Sequence, residues 1–371
     1  MLKIAAVPLQ PEKFSDIMEF DGCNMSFIPL TCLMGTGIMY PRLKNAKDKG
    51  IIIRFVYDEA PNPENTFYKN NNIIKSIANE CKSDRTGSEG SKIMHNKFLI
   101  IDNQKVITGS MNYSKSGLSG YDANDVIIIN SKEIAQLYTN EFEQMLNGKF
   151  HNAKLKNNSQ NKFKLGNNEI EIYFSPQDKS ATRIIQLINN AKSYIYIPTF
   201  LITHKGITDS LIKAKKRNVD IKIIIDANSV NTRNTKHKII RENNIALKAE
   251  NYAGKLHSKT IIIDDEYIVI GSMNFSNSGE NKNDENMIVI KNHIFDAILV
   301  DAAVGGEYAV AEQGSHLVEE IRFRIVPGGD RVGHETGHAD TSELLHHGAF
   351  AAAHAACYAH ALHFIITHWT F

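Results

Sequence analysis

Hydrophobic and polar residues follow the same succession of patterns in both halves of the chain. The segments 43–58 (LKNAKDKGIIIRFVYD) and 212–226 (IKAKKRNVDIKIIID) each pass from an amphipathic helix end, through Gly or Asn, into an apolar strand. A Gly or Asn at that point is the usual left-handed residue that stops a helix. By the same patterns, further strands are predicted over 26–31, 126–130, 169–174, 193–199 and 287–292, and helices over 131–146 and 180–191.

Strands and helices alternate in both halves, which predicts an α/β fold of two similar units packed face to face. We assign residues 1–149 to the first unit, within which 1–26 match poorly, and 169–296 to the second. Residues 150–168 are rich in Lys and Asn and are predicted to be a linker. In residues 297–371 Lys and Asn vanish while Ala, Gly and His become frequent. We expect this anomalous tail to be a fusion or the product of a reading-frame shift.

A pattern of polar and small residues also occurs twice. The first copy comprises His95, Lys97, Asp102, Gly109, Ser110 and Asn112. The second copy comprises His257, Lys259, Asp264, Gly271, Ser272 and Asn274 at the same offsets. Six matched positions make chance a poor explanation, and the doubling predicts one active site built from two halves. In each copy the His and Lys are two apart, so in a strand they would face the same side.

These residue types suit displacement at phosphorus. One neutral imidazole can attack while the other, protonated, donates to the leaving oxygen. The lysines and asparagines supply charge and donors for the nonbridging oxygens. The Ser after each Gly can add hydroxyl or backbone donors at a tight turn. Because lysines neutralise the charge in this scheme, we expect neither a metal nor a cofactor.

The doubled motif resembles the signature of the phospholipase D superfamily: HxK, four residues, D, six residues, then GS or GT with Asn two residues later. The resemblance covers roughly residues 27–295. It implies α/β/α layered units related by a pseudo-twofold axis, and a covalent phosphohistidine that water or an alcohol resolves. It also implies that His95 is the nucleophile and His257 the general acid, then the base. Asp102 and Asp264 are then expected to be structural.

Family members also place an acidic residue after the Gly-Ser turn, where it orients a histidine. In the second half, residues 284–286 read DEN, and Glu285 fits this place. In the first half, residues 122–125 read DAND, and Asn124 stands at the aligned position. This mismatch predicts two unequal half-sites, in keeping with different roles for the two histidines.

Composition restricts the substrate only loosely. The chain has 371 residues, with 42 Lys and Arg against 41 Asp and Glu, so affinity for an anionic partner has to come from local patches. We expect hydrolysis of a phospholipid headgroup phosphodiester at a membrane surface. Three alternatives stay open: an endonuclease of the same superfamily acting on DNA or RNA, a phosphatidyltransferase resembling cardiolipin synthase, and an inactive scaffold.

No membrane-spanning segment is expected, because the uncharged stretch 25–40 is short and is interrupted by Pro and Gly. The four cysteines show no paired spacing, which favours a reducing compartment and a cytoplasmic location.

Several histidines lie outside the doubled motif. His151, His204 and His237 have no motif around them and are expected at the surface. Residues 334–338 (HETGH) match a zinc-protease pattern, but they lie in the anomalous tail without an evident domain around them. No zinc site is therefore expected there.

Overall fold

The computed structural model describes residues 2–7, 25–28, 39–59, 71–84, 92–118, 121–157, 160–250 and 254–291. The anomalous tail, its HETGH pattern and most of residues 1–26 lie outside these ranges, so the expectations for them stay predictions.

Two mixed β-sheets form the framework of the described residues. The strands of the first sheet are β1 (Leu2–Val7), β2 (Met25–Ile28), β3 (Ile53–Tyr57), β4 (Glu80–Ser83), β5 (Phe98–Ile101), β6 (Lys105–Gly109) and β7 (Asn124–Asn130). The strands of the second sheet are β8 (Lys162–Leu165), β9 (Asn168–Ser175), β10 (Tyr194–Thr199), β11 (Asp220–Asp226), β12 (Ala246–Glu250), β13 (Ile261–Ile263), β14 (Tyr267–Gly271) and β15 (Glu285–Lys291).

Helices flank both sheets. They are α1 (Met39–Asp48), α2 (Asn71–Ile77), α3 (Lys115–Leu118), α4 (Lys132–Leu146), α5 (Ser180–Asn190), α6 (Lys205–Lys216), α7 (His237–Glu242) and α8 (Asn277–Asn281). Short 3-10 helices cover His151–Ala153 and Ala227–Asn231.

The two sheets have the same strand order. The first runs β1-β7-β6-β5-β2-β3-β4, and the second, read from its other edge, runs β8-β9-β15-β14-β13-β10-β11-β12. Each strand of the first sheet therefore has a counterpart in the second, and β8 is an additional edge strand. The predicted α/β fold of two similar units is confirmed.

The predicted helix stops are also confirmed. Gly50 follows α1 with φ +85°, and Asn218 follows α6 with φ +66°. Both residues adopt the left-handed conformation that Gly and Asn tolerate best. They turn the chain directly into β3 and β11, the strands whose ends approach the site.

Side chains of the strands alternate between two cores. In β15, Met287 and Val289 pack in the core beneath α5 and α6, whereas Ile288 and Ile290 face the opposite way. That opposite face joins both sheets and α4 in one shared hydrophobic core. Burial on both faces explains why these strands read as nearly unbroken runs of Ile and Val.

The predicted linker is part of the packed fold. Residues 150–168 include the 3-10 helix at His151 and the edge strand β8, and Lys154 is only 3% exposed. The prediction that His151 lies at the surface is wrong, because it is 2% exposed and contacts two aspartates. His204 is half-buried against Glu280, at 2.9 Å between Nε2 and Oε2. The acidic partners of both histidines are distant in sequence, so the sequence alone did not predict these contacts.

Candidate active site

The two motif histidines lie where each unit pairs with the other. His95 N donates to Asp284 O at 2.8 Å, and His257 N donates to Ala123 O at 2.8 Å. Parallel bridges join the residues beside them, Met94 to Asp284 and Ala123 to Leu256. These reciprocal contacts bring both halves of the doubled motif into one site.

The prediction that His and Lys of each motif lie within a strand is wrong. β5 begins at Phe98 and β13 at Ile261, so both pairs precede their strands. The backbone of each histidine bonds to the opposite unit instead of a neighbouring strand of its own sheet. Each lysine nevertheless turns back toward its histidine: Lys97 Nζ donates to His95 O at 3.0 Å, and Lys259 Nζ donates to His257 O.

His95 is held by the acidic residue of the other unit. Its Nδ1 lies 2.7 Å from Glu285 Oε2, and the Glu285 side chain is fully buried. Ser272 Oγ donates to the same carboxylate oxygen at 2.7 Å, and Asn283 Nδ2 donates to the other at 3.2 Å. A carboxylate on Nδ1 fixes the ring so that Nε2 is free on the other side.

His257 is held by neutral groups. Its Nδ1 lies 3.0 Å from Asn124 Oδ1 and 3.0 Å from the backbone oxygen of Ser110. Both partners are acceptors, so Nδ1 carries the proton and Nε2 is again the free atom. The aligned positions Glu285 and Asn124 therefore orient the histidine of the opposite half, and only His95 has an acidic partner.

Burial sets the charge of the central groups. It lowers the pKa of His95 and of His257 well below the usual value, and the nearby lysines lower both further. Burial likewise lowers the pKa of Lys97 to about 7, and that of Lys259 well below its usual value with help from the Lys97 charge. Burial raises the pKa of Glu285 to about 8, although Lys97 opposes this. An anion bound between the lysines would favour their charged forms.

The Gly-Ser turns pack against the strands that carry the orienting residues Asn124 and Glu285. An added Cβ on Gly109 would lie 2.1 Å from Asp125 O, and one on Gly271 would lie 2.3 Å from Asn286 O, so only Gly fits. Ser110 Oγ accepts from Asp125 N at 2.7 Å, as Ser272 Oγ does from Asn286 N at 3.0 Å.

Both serine side chains belong to fully buried residues. Their hydroxyls are used within the protein, which favours a positioning role over the substrate contact that the sequence predicted.

The motif asparagines and aspartates occupy different places. Asn112 Oδ1 and Asn274 Oδ1 are buried without a hydrogen-bond partner, so each could accept a hydrogen bond from a ligand but could not donate one to a phosphate oxygen. Asp264 lies in the turn after β13, where its carboxylate accepts from the backbone of residues 192–194. Asp102 occupies the equivalent turn after β5 with φ +53°. Both aspartates thus lie at the opposite strand end from the histidines.

Two aspartates at strand ends hold the histidine segments, a role that sequence reasoning missed. Asp226 Oδ2 accepts from Leu256 N at 2.9 Å, directly before His257. Asp58 Oδ1 accepts from Met94 N at 3.3 Å, directly before His95. The sequence did contain a signal for this role, because Asp58 and Asp226 align at the ends of the repeated strands β3 and β11.

Phe200 is a further neighbour that no motif predicted. Its ring centroid lies 5.5 Å from that of His257 in an edge arrangement, and Lys259 Nζ lies 5.3 Å from the same ring. Phe200 is half-buried, so it packs against the second histidine while part of its ring stays exposed.

The described residues show neither a metal-ligand cluster nor a membrane-spanning helix. No group of three or more His, Cys, Asp or Glu residues there is arranged to hold a metal ion. None of the helices described is long and apolar enough to cross a bilayer.

The arrangement supplies what substitution at phosphorus requires. Two imidazoles have Nε2 atoms free of protein partners, and two lysines lie beside them to supply positive charge. Such a site can attack phosphorus, protonate a leaving oxygen and stabilise the charge on the nonbridging oxygens.

Comparisons with known proteins agree with the doubling. The family profile "Cardiolipin synthase, PLD-like domain" matches residues 28–146 and again 184–301. Each match contains one copy of the motif, and together they cover more than half of the chain.

Curated relatives match over shorter stretches. The chain is 30% identical over 138 residues to a phospholipase D of Rickettsia bellii, covering 37% of this chain and 67% of that protein. It is 26% identical over 117 residues to a mitochondrial cardiolipin hydrolase of Chlamydomonas reinhardtii, covering 32% and 52%. The chain thus spans about half to two thirds of the length of these relatives.

A solved structure matches over both units. Phosphatidylserine synthase of Haemophilus influenzae aligns with 80% of this chain and 83% of its own, with a TM-score of 0.60 at 12% identity. This likeness concerns the fold.

Proposed function

The chain belongs to the phospholipase D superfamily, and from this premise we propose that it hydrolyses a phosphodiester through a covalent phosphohistidine on His95. The observation that carries the assignment is the 2.7 Å contact between His95 Nδ1 and Glu285 Oε2. A carboxylate on the far nitrogen stabilises the positive charge that develops on the ring as Nε2 bonds to phosphorus. His257 has only neutral acceptors on its Nδ1.

The proposed first step transfers the phosphoryl group to the protein. His95 Nε2 attacks phosphorus, the P–O bond to the leaving group breaks, and protonated His257 gives its Nε2 proton to the departing oxygen. Lys97 and Lys259 offset the negative charge on the nonbridging oxygens. The bound anion also counters the low pKa of His257, because its negative charge favours the protonated ring.

The second step restores the enzyme. Neutral His257 takes a proton from water, the water oxygen bonds to phosphorus, and the bond from phosphorus to His95 Nε2 breaks. The phosphomonoester leaves, and His257 has recovered the proton it donated. An alcohol in place of water would give transfer instead of hydrolysis. The scheme needs no metal, because the lysines carry the positive charge.

For the substrate we propose a phospholipid headgroup phosphodiester. The names of the two curated relatives, phospholipase D and cardiolipin hydrolase, support lipid hydrolysis. The test is to incubate purified protein with phosphatidylcholine or cardiolipin vesicles in EDTA and to measure the released headgroup or phosphatidate. Loss of activity in EDTA would contradict the lysine-based scheme, and product formed only with an added alcohol would favour a phosphatidyltransferase.

A nuclease is the second candidate, and one observation favours it. Residues 1–150 carry 17 Lys and Arg against 17 Asp and Glu, whereas residues 151–291 carry 22 against 14. The whole positive excess of residues 1–291 therefore lies after residue 150, in the predicted linker and the second unit. Nucleic-acid binders commonly show such excess. Single- and double-stranded DNA and RNA belong in the same assay. Cleavage of nucleic acid without lipid hydrolysis would replace the first candidate by the second.

A further inference from the structure

A buried ionic cluster lies directly behind the His95 half-site. At its centre is Asp284, whose side chain is fully buried. Lys154 Nζ donates to its Oδ1 at 2.8 Å, and the backbone N of His151 donates to the same oxygen at 2.9 Å. His151 Nδ1 lies 3.0 Å from Oδ2.

Asp284 also touches the reacting half-site through its own backbone. Its carbonyl oxygen accepts from His95 N at 2.8 Å, and its N–H donates to Ile93 O at 3.1 Å. The next residue in the chain is Glu285, which contacts the His95 ring. Asp284 is thus joined to both members of the His95–Glu285 pair, one by hydrogen bond and one by peptide bond.

The corresponding position behind His257 is Ala123. Its backbone makes the same two bonds, from His257 N and to Lys255 O, each at 2.8 Å. Its side chain packs with Ile224 and Leu256 in a small apolar cluster. The backbone pairing therefore needs no carboxylate, and the ionic cluster is an addition confined to the half-site of His95.

We propose that Asp284, held by His151 and Lys154, is a positioning residue that aligns His95 with Glu285 for attack on phosphorus. The inference rests on the proposed function, because it takes His95 as the nucleophile. A buried carboxylate with two donors on one oxygen and the His151 ring against the other is held in place, so it fixes the backbone on both sides of the 2.7 Å contact. This gives the otherwise unexplained burial of His151 and Lys154 a role in the reaction.

Opposite charges within the cluster set the pKa values of its members. Burial opposes ionisation of Asp284, but Lys154 and His151 outweigh it and lower its pKa. Burial likewise lowers the pKa of His151, but the nearby carboxylates of Asp284 and Asp84 outweigh that and raise it to about 9. Glu141 of α4 is the other acidic partner of Lys154, whose Nζ also donates to Ser175 O at 3.2 Å.

The other titratable groups near His95 are Glu285, Lys97, Lys259 and His257 in the site, and Asp58 and Asp84, which accept from Met94 N.

Asp284→Asn and His151→Asn test the proposal. Asparagine keeps the shape at position 284, and at position 151 it tolerates the φ of +52°. Single-turnover release of nitrophenolate from bis(p-nitrophenyl) phosphate isolates the first step, because this leaving group needs little proton donation. We expect each variant to slow that step by about 10- to 100-fold, as loss of a supporting partner does, with little change in substrate affinity.

The pH profile separates positioning at His95 from a general loss of packing. Asp284→Asn removes a negative charge, so the pKa of His95 falls and the acid limb moves to lower pH. His151→Asn removes a positive charge, so the acid limb moves to higher pH. Arg183→Gln is the matched control, because it breaks the partly buried Arg183–Glu171 ion pair away from His95. Arg183→Gln should leave the single-turnover rate and its pH profile unchanged.

Wild-type rates in a folded Asp284→Asn or His151→Asn variant, or shifts of both acid limbs in one direction, would overturn the proposal. If Asp284→Asn does not fold, the single-turnover rate and the acid limb of the His151→Asn variant test the proposal on their own. Failure of wild-type protein to form an intermediate on His95 would instead contradict the proposed function, so the two failures are distinguishable.

Discussion

The half-sites of His95 and His257 share one backbone plan and differ in the charges placed on it. In both, a Gly-Ser turn supports the orienting residue, and the histidine N–H bonds across to the other unit. His95 then receives the carboxylate of Glu285 and the ionic cluster around Asp284, whereas His257 receives the amide of Asn124 and an apolar cluster around Ala123.

The residues that follow the two orienting positions reverse the order of acid and amide. Asp125 follows Asn124 and accepts from Ser258 Oγ at 3.1 Å and Thr260 Oγ1 at 2.7 Å. Asn286 follows Glu285 and donates to Thr108 Oγ1 at 2.6 Å. A duplicated scaffold can thus assign different roles to equivalent histidines by changing which positions of the aligned segments carry carboxylates.

The histidines themselves should give the largest effects. We expect His95→Ala and His257→Ala each to lower turnover of a substrate with a poor leaving group at least about 10³-fold, within the range for acid–base and nucleophilic groups. With bis(p-nitrophenyl) phosphate, only His257→Ala should recover release of the first nitrophenolate, because that leaving group needs no acid. Stopped-flow absorbance measures both cases, and recovery in His95→Ala instead would reverse the assignment.

Glu285→Gln should give the next largest loss. The amide keeps the shape but removes the charge on His95 Nδ1, so formation of the intermediate should slow about 10- to 100-fold. The rate of the first turnover measures it.

Asn124→Asp is the matched change in the other half. A carboxylate beside His257 raises its pKa, so the basic limb of the pH–rate profile should move to higher pH for a poor leaving group. Equal effects of Glu285→Gln and Asn124→Gln on the rate of the first turnover would contradict the proposed difference between the half-sites.

The shared scaffold should respond equally in both halves. Gly109→Ala and Gly271→Ala each press a Cβ against a carbonyl oxygen of the neighbouring strand, at 2.1 and 2.3 Å. We expect each to lower the free energy of unfolding by about 1–3 kcal/mol. Urea unfolding measures the loss, and a clear difference between the two variants would argue against equivalent support of the orienting residues.

Ligand binding should produce the smallest effect, an uptake of protons. Burial holds the pKa of Lys97 at about 7, so this lysine is largely neutral at pH 8 in the ligand-free site and charged at pH 5.5. A bound anion favours the charged form, so dimethyl phosphate should bind with proton uptake at pH 8. Calorimetry in buffers of different ionisation enthalpy measures it. Identical heats at pH 8 would contradict the expected titration.

The sequence predicted the repeated framework better than the contacts of the site. Strand and helix bounds follow from local apolar periodicity and from the stops at Gly50 and Asn218, which act within a few residues. The contact between Glu285 and His95 joins residues 190 positions apart. No local sequence pattern predicts which histidine such a distant carboxylate will contact. His151 looked isolated for the same reason, since both of its aspartate partners come from other elements.

The central claim is that His95 carries the covalent intermediate while His257 moves protons, and direct trapping of that intermediate tests it. The His257→Ala variant is mixed with a ³²P-labelled p-nitrophenyl phosphodiester, quenched in alkali, and digested to locate the label. We predict label on the peptide that contains His95 and none in the variant that also carries His95→Asn. Label retained without His95, or none at all in protein that turns over this substrate, would contradict the account.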